Sequence, residues 1–216
     1  MKQIISALVL AFSLCQVVFA DSRAEFQVGF VEGDPELSFA GVSEDLDVDT
    51  GINLGGNFWW DGVGSPNLSV GLSYNRTSEA DFNVALNAQF LNATIQGITI
   101  EHDIDTFMVN AVFRDNSKRK KMRPYVGGGI GMAKTDADAT ITGTITINGQ
   151  NFAVVGTSND DDTSLAFQFM GGVDFEVSEN VYVGANLGYF MTEADLFGAE
   201  VDFDTLRGNL VLGVTF

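Results

Sequence analysis

Alternation of apolar with small or polar residues, repeated over eight separate segments, constrains this chain more than any other feature. The segment 203–216 shows it best. Phe216, Val214, Leu212, Leu210 and Leu206 share one parity, interrupted only by Gly208. Thr215, Gly213, Val211, Asn209, Arg207 and Thr205 share the other. A strand sends alternate side chains to opposite faces, so this one has an apolar face and a small or polar face. Segments 26–39, 48–60, 67–77, 104–114, 123–135, 164–175 and 181–192 read the same way. In 48–60, for example, Ile52, Leu54, Phe58 and Trp60 alternate with Asn53, Gly55 and Asn57. The segment 26–39 is the least regular, because Leu37 and Phe39 take the opposite parity to Phe26, Val28 and Phe30. One extra residue near Gly33-Asp34-Pro35 would reconcile them as a bulge.

The connections after the second, fourth and sixth segments are short. The others are longer, and 78–103 and 136–163 are much longer. After residue 20 no apolar run reaches the length of a spanning helix. In lipid every backbone group must be satisfied internally, which leaves a closed barrel as the strand solution. The expected fold is therefore all-β: an eight-stranded antiparallel up-and-down transmembrane β-barrel with short periplasmic turns and long extracellular loops. The apolar parity then faces lipid and the other parity a small interior. Aromatic residues fall near both ends of the segments, as two interfacial bands require. Phe26, Trp60, Phe113, Tyr125, Phe175, Tyr182 and Phe216 lie at the short-turn ends, and Phe39, Tyr74, Phe107 and Phe203 at the long-loop ends.

Residues 1–20 read as a cleaved secretory signal. Lys2 supplies the positive start, 4–12 the apolar core, and Val18-Phe19-Ala20 the site of cleavage before Asp21. Cys15 follows Leu14, where lipoprotein processing needs a small residue, so lipidation is not expected. The barrel domain, 21–216, then contains no cysteine, hence no disulfide and no thiol nucleophile. The formal net charge of −18 excludes nucleic acid as a natural partner.

The sequence Arg123-Pro124-Tyr125-Val126-Gly127-Gly128-Gly129-Ile130-Gly131 resembles the fifth strand of the OmpA-like eight-stranded outer-membrane β-barrels, the group of opacity-type surface antigens and small porin-family proteins. Phe216, with Val214, Leu212 and Leu210 before it, resembles the signal that the barrel-assembly machinery of that family reads. The resemblance spans the mature chain. It implies a Gram-negative outer membrane, contact with outer-membrane lipid and lipopolysaccharide, and a monomer. It names no extracellular partner.

Candidate chemistry is sparse. Gly127 to Thr135 approaches a phosphate loop, but Ala133 stands where glycine should precede Lys134, and a polar segment follows in place of a helix. The inward glycines 127, 129 and 131 are better read as room for Trp59, Tyr125, Tyr182 and Phe190. His102, the single histidine, has no adjacent serine and reads as a solvated loop residue. No catalytic, cofactor or metal-ligating motif emerges, and an enzyme is not expected. The segments 40–50, 78–105, 136–163 and 193–204 hold 19 of the 29 Asp and Glu and no Lys or Arg. A solvated acidic surface explains this, with Ca²⁺ or Mg²⁺ loosely held at those loops as the sharper reading. Inside the barrel an interior polar cluster of Arg114, Asp174 and Arg207 is expected. Arg114 pairs with Asp174 beside the small Gly127, and Arg207, higher up, leans on polar neighbours or water, because an unpaired charge in a confined interior is costly.

Thr140 to Ile147 alternates β-branched residues, and Asn148-Gly149 follows, a strong hairpin signal. The fifth and sixth strands should continue beyond the bilayer as a hairpin. The stretch 84–100 suggests a second one, turning near Gln96-Gly97. The two either cover each other or form a binding surface. Functionally, a structural, surface-exposed scaffold with acidic extracellular loops for interaction leads. A narrow pore for small solutes or apolar molecules is the alternative, and a lipid-modifying barrel enzyme a weaker one.

Overall fold

The structure, a computed structural model, describes residues 22–33, 36–39, 42–45, 50–78, 82–84, 88–90, 93–115, 121–147 and 150–216. The expected signal segment 1–20 and the basic turn residues Lys118, Arg119 and Lys120 lie outside them. Twelve strands form one sheet: β1 (Ser22–Gly33), β2 (Glu36–Phe39), β3 (Val42–Asp45), β4 (Gly51–Asp61), β5 (Leu68–Ser78), β6 (Phe82–Val84), β7 (Ala88–Phe90), β8 (Ala93–Arg114), β9 (Met122–Ile147), β10 (Gln150–Ser178), β11 (Val181–Leu196) and β12 (Ala199–Thr215). Eight of them, β1-β4-β5-β8-β9-β10-β11-β12, form an antiparallel ring that closes by pairing β1 with β12. Closure runs from Arg23 opposite Thr215 to Gly33 opposite Thr205, and the Phe216 N–H donates to the Ser22 carbonyl at 2.8 Å.

Alternation explains the ring. Leu210, Leu212, Val214 and Phe216 all point out, at 68%, 53%, 41% and 53% exposure, while Val211 between them is buried. An outward apolar face without a water-facing role is the lipid-facing surface of a membrane barrel.

Of four expectations one holds and three change. β9 and β10 do continue past the rim: β9 reaches Ile147, and β10 begins at Gln150, paired with it. The hairpin therefore exists as paired strands, although the Asn148-Gly149 tip is outside the described residues. On the neighbouring strand Gln96-Gly97 is no turn. It is a register shift between Ile95 and Gly97 inside β8, which carries on pairing with β9 as far as Ala93. The two projections thus share a sheet through β8 and β9, while Phe152, Val154 and Val155 of β10 stay exposed. Third, no bulge separates β1 from β2. Gly33 faces Thr205 and Glu36 faces Asp202, the same register along β12. The sequence parity changes there because the inside of the wall turns apolar above the bilayer, where Leu196, Val201 and Phe203 are buried. Fourth, Tyr125, Tyr182 and Phe203 are buried inside the barrel and do not belong to the aromatic bands. Phe26, Phe113, Phe175 and Phe216 remain outside at the short-turn end, and Tyr74 and Phe107 at the other.

Candidate functional site

The lumen is built in three layers from the inward parity of the ring. At the periplasmic end sits a charged layer. Arg114 on β8 hydrogen-bonds Asp174 on β10 and lies 3.6 Å from Glu25. Arg23 reaches Asp61 at 2.6 Å and Asp174 at 3.6 Å. Glu25 also accepts from Trp59 Nε1 at 2.7 Å, Tyr182 Oη at 2.8 Å and Asn57 Nδ2 at 2.8 Å. Buried charges need this density of partners, since an ion left unpaired keeps its full desolvation cost.

The strand between Arg114 and Asp174 offers Tyr125 at that height. Tyr125 is the cross-strand neighbour of both Arg114 and Gly172. Its ring lies over Gly172, and the Arg114 guanidinium sits 4.2 Å from the ring centroid. The expected neighbour, Gly127, is one dyad higher and pairs with Val112. The ring-on-glycine reading was right in kind and wrong in place. A Cβ on Gly71 would fall 2.5 Å from the Trp59 ring, one on Gly172 would fall 2.7 Å from Tyr125, and Gly213 meets Tyr182. Gly127, Gly129 and Gly131 instead make room for Val112, Asn110 and Met108 of β8. These glycines lie in the continuous strand β9, so the near-miss phosphate loop is no loop at all.

At mid-height the layer is amide-rich. Asn53 Nδ2 donates to Asn209 Oδ1 at 2.7 Å, and Asn209 Nδ2 to Asn186 Oδ1 at 2.9 Å. Gln27 pairs with Asn75, Gln168 with Asn110, and Asn110 Nδ2 donates to Ser73 Oγ at 2.8 Å. These side chains enclose a cavity of about 20 Å³, room for about one water molecule. Arg207 marks the top of this layer. Its guanidinium stacks over Phe190 at 3.7 Å, so an aromatic face joins whatever polar company was expected of it. Above lies an apolar cap: Ile104, Met108, Ala133, Ala137, Ala166, Phe190, Ala194, Leu196, Val201 and Phe203. His102 is part of its edge. It is 4% exposed and 5.3 Å from the Phe203 ring, so it is not the solvated loop residue anticipated.

Arg114 and Asp174 therefore meet, while Arg207 stands apart from them, at the top of the next layer up. Sequence reasoning missed Arg23 and Glu25. Their signal was present: charges on the inward parity of a segment whose other parity is Phe26, Val28 and Phe30.

The outer surface above the apolar band is ordered in rows by the register. Tyr74, Phe107, Met132 and Leu165 are cross-strand neighbours and exposed. The next outward row is Arg76, Asp105, Lys134 and Thr163, and the next Ser78, Asp103, Asp136 and Asp161. Arg76 bonds Asp103, and Lys134 bonds Asp136. At the tip of β11 and β12, carboxylate oxygens of Glu193, Glu200 and Asp202 lie within 4.8 Å of one another. The charges of Glu200, Asp202 and Asp195 hold the Glu193 carboxyl above its ordinary pKa. Asp162 and Asp160 of β10 accept the backbone N–H groups of Asp195 at 3.0 Å and Phe197 at 2.6 Å, joining β10 to that tip above the point where ladder pairing stops.

The sequence matches the family described as outer membrane protein beta-barrel domain over residues 4–216. No curated protein matches it. Among solved structures, Neisserial surface protein A aligns at 13% identity over 90% of this chain and 95% of that one, with a TM-score of 0.50. OprG from Pseudomonas aeruginosa aligns at 14% over 92% and 96%, TM-score 0.47. Ail, the attachment invasion locus protein of Yersinia pestis, aligns at 16% over 90% and 99%, TM-score 0.40. The likeness to Neisserial surface protein A is one of fold.

Proposed function

Because the chain belongs to the outer membrane protein beta-barrel domain family and so resides in the outer membrane, we propose that it works there as a closed, surface-exposed scaffold: a rigid plugged barrel whose purpose is to hold strands and carboxylates outside the cell. The observation that supports this is the filled lumen. A charged layer, an amide layer and an apolar cap follow one another along the axis, and the cavity among the amides measures about 20 Å³. Eight strands leave an interior that side chains fill. Outside, the row of Arg76, Asp105 and Lys134 directly above the apolar band faces the lipopolysaccharide headgroups in this reading, with the carboxylates above it available to their bridging cations.

Planar-bilayer recordings of purified, folded protein test the proposal. Addition to the bilayer should give no conductance steps, whereas Arg114→Ala with Arg207→Ala should begin to leak. The second reading, a narrow pore, rests on the polar lining of the mid-height cavity. Reproducible unitary steps from the unaltered protein would replace the scaffold reading with it.

A further inference from the structure

Beyond Asp160 the strand β10 projects past its neighbour. β11 pairs with it from Ala166 downward, and among the described residues no strand lies on the β11 side of Phe152–Asn159. All eight of those residues are exposed. An exposed edge of this kind is a template for another strand, and proteins ordinarily guard it with charge or proline. Here neither guard is present: 140–159 contains no Asp, Glu, Lys, Arg or Pro, in a chain of net charge −18.

Four interior and lipid-facing pairs of this barrel share one arrangement. Trp59 faces Gly71, Tyr125 faces Gly172, Tyr182 faces Gly213 and Phe30 faces Gly208, each directly across two paired strands, with the ring filling the space over the glycine. Gly156 has no such ring over it: among the described residues nothing lies within 4 Å of where its Cβ would be. Phe152, on the same parity of the same strand, is 49% exposed. If two β10 edges pair antiparallel about Val154, Phe152 of each faces Gly156 of the other, and both rings cover both glycines.

We propose that this edge binds the same edge of a second copy of the chain, anchored in a facing membrane. The direction follows from geometry. Every copy in one membrane runs β10 from outside to inside, so an antiparallel partner must come from a membrane of opposite orientation. The charge distribution agrees. The centre of the contact, Val154, stands six residues, roughly 20 Å, along β10 from Asp160, beyond the ~8 Å reach of that carboxylate collar at physiological ionic strength. A partner of another kind would be selected by charge opposite to this protein's, and the contact has none to offer it. The inference rests on the scaffold reading of the barrel, but its test does not involve conductance.

The test uses two populations of phosphatidylcholine vesicles with different fluorophores, the full barrel folded into one or both. Light scattering and energy transfer report clustering. Clustering is expected only when both populations carry the protein. It should fall at least tenfold for Phe152→Ser and for Val155→Glu, and stay unchanged for Thr163→Glu, which adds the same charge within the collar. Lowering the salt to about 0.01 M lengthens screening to ~30 Å and should weaken it. Heat-modifiable migration on gels verifies that each variant is folded. Bare vesicles joining the clusters would assign the contact to lipid, and cross-linked dimers within one membrane would assign it to a lateral interface. Either result, or undiminished clustering of Val155→Glu, or no clustering of the unaltered protein, overturns the proposal.

Discussion

Arg114 crosses from β8 to Asp174 on β10 over the face of Tyr125, and each of the three depends on the other two. The guanidinium is buried with a carboxylate partner and an aromatic face. The carboxylate is also approached by Arg23. Removing the negative member leaves two buried guanidinium groups competing for Glu25 and Asp61. Breaking a buried pair in this way costs about 3 kcal/mol. Asp174→Asn should lower the stability of the folded barrel by that amount in urea titrations in lipid vesicles, whereas Asp136→Asn, exposed on the collar, should change it by less than about 1 kcal/mol. Equal effects would show that the charged layer is not what holds the lower barrel together. The pairing of Arg114 with Asp174 was legible in the sequence, because both carry charge on an inward parity at the same end. The role of Tyr125 was not, since a shift of one dyad across a tilted wall decides whether Gly127 or Tyr125 lies between them.

At the scale of elements, the β11–β12 hairpin holds a bulky residue where its turn wants a small one. Phe197 has φ 54° and Gly198 φ 77°, the mirror-type turn that favours Asn-Gly. For an aromatic residue positive φ is an outlier, and here Asp160 accepts the Phe197 N–H and fixes it. Phe197→Asn should therefore stabilise the hairpin by roughly 0.5–1 kcal/mol, read as slower amide exchange over Val181–Leu196 and its partner strand. Faster exchange would mean that the Phe197 side chain contributes more than its backbone costs. The same tip carries Glu193 against Glu200, Asp202 and Asp195. Its pKa is raised in the folded state, so repulsion destabilises the tip while Glu193 is ionised and is relieved as pH falls through the raised value. Protection of the Ala194 and Leu196 amides, taken relative to the intrinsic exchange rate at each pH, should rise on acidification, and Glu193→Gln should show the higher protection already at neutral pH. A carbon-detected titration that leaves the Glu193 carboxyl in the ordinary range would reject this. Elements were readable to different depths. Asn148-Gly149 announced the long hairpin because turn chemistry is local. The upward reach of β8 and the inward apolar cap were not readable, because above the bilayer no lipid remains to enforce one parity, and the periodicity that revealed the lower strands reverses.

For the molecule as a whole, the register fixes how the barrel sits in its membrane. On β10 the outward residues Leu165, Phe167, Phe169, Val173 and Phe175 are apolar, and Asp161 stands outward above them. Leu165 to Phe175 covers roughly 33 Å along the strand. Strands tilted by about 45° turn that into roughly 23 Å, close to the ~25 Å apolar band of such barrels. The cross-strand neighbours of Leu165 on β9 and β8 are Met132 and Phe107, and above each stands a charge, Lys134 or Asp105. The hydrocarbon boundary must therefore fall between residues 163 and 165 of β10, since a charge lowered into hydrocarbon costs several kcal/mol. Cysteine placement reads this directly, in a background where Cys15, the single native cysteine, is changed to serine. On intact cells, Asp161→Cys and Val155→Cys should react with a membrane-impermeant maleimide. Leu165→Cys and Phe169→Cys should resist it and react only with a lipid-soluble reagent. Protection at residue 161, or ready labelling at residue 165, would place the barrel at a different depth. It would also move the Arg76, Asp105 and Lys134 row away from the headgroups that the scaffold reading has it meet.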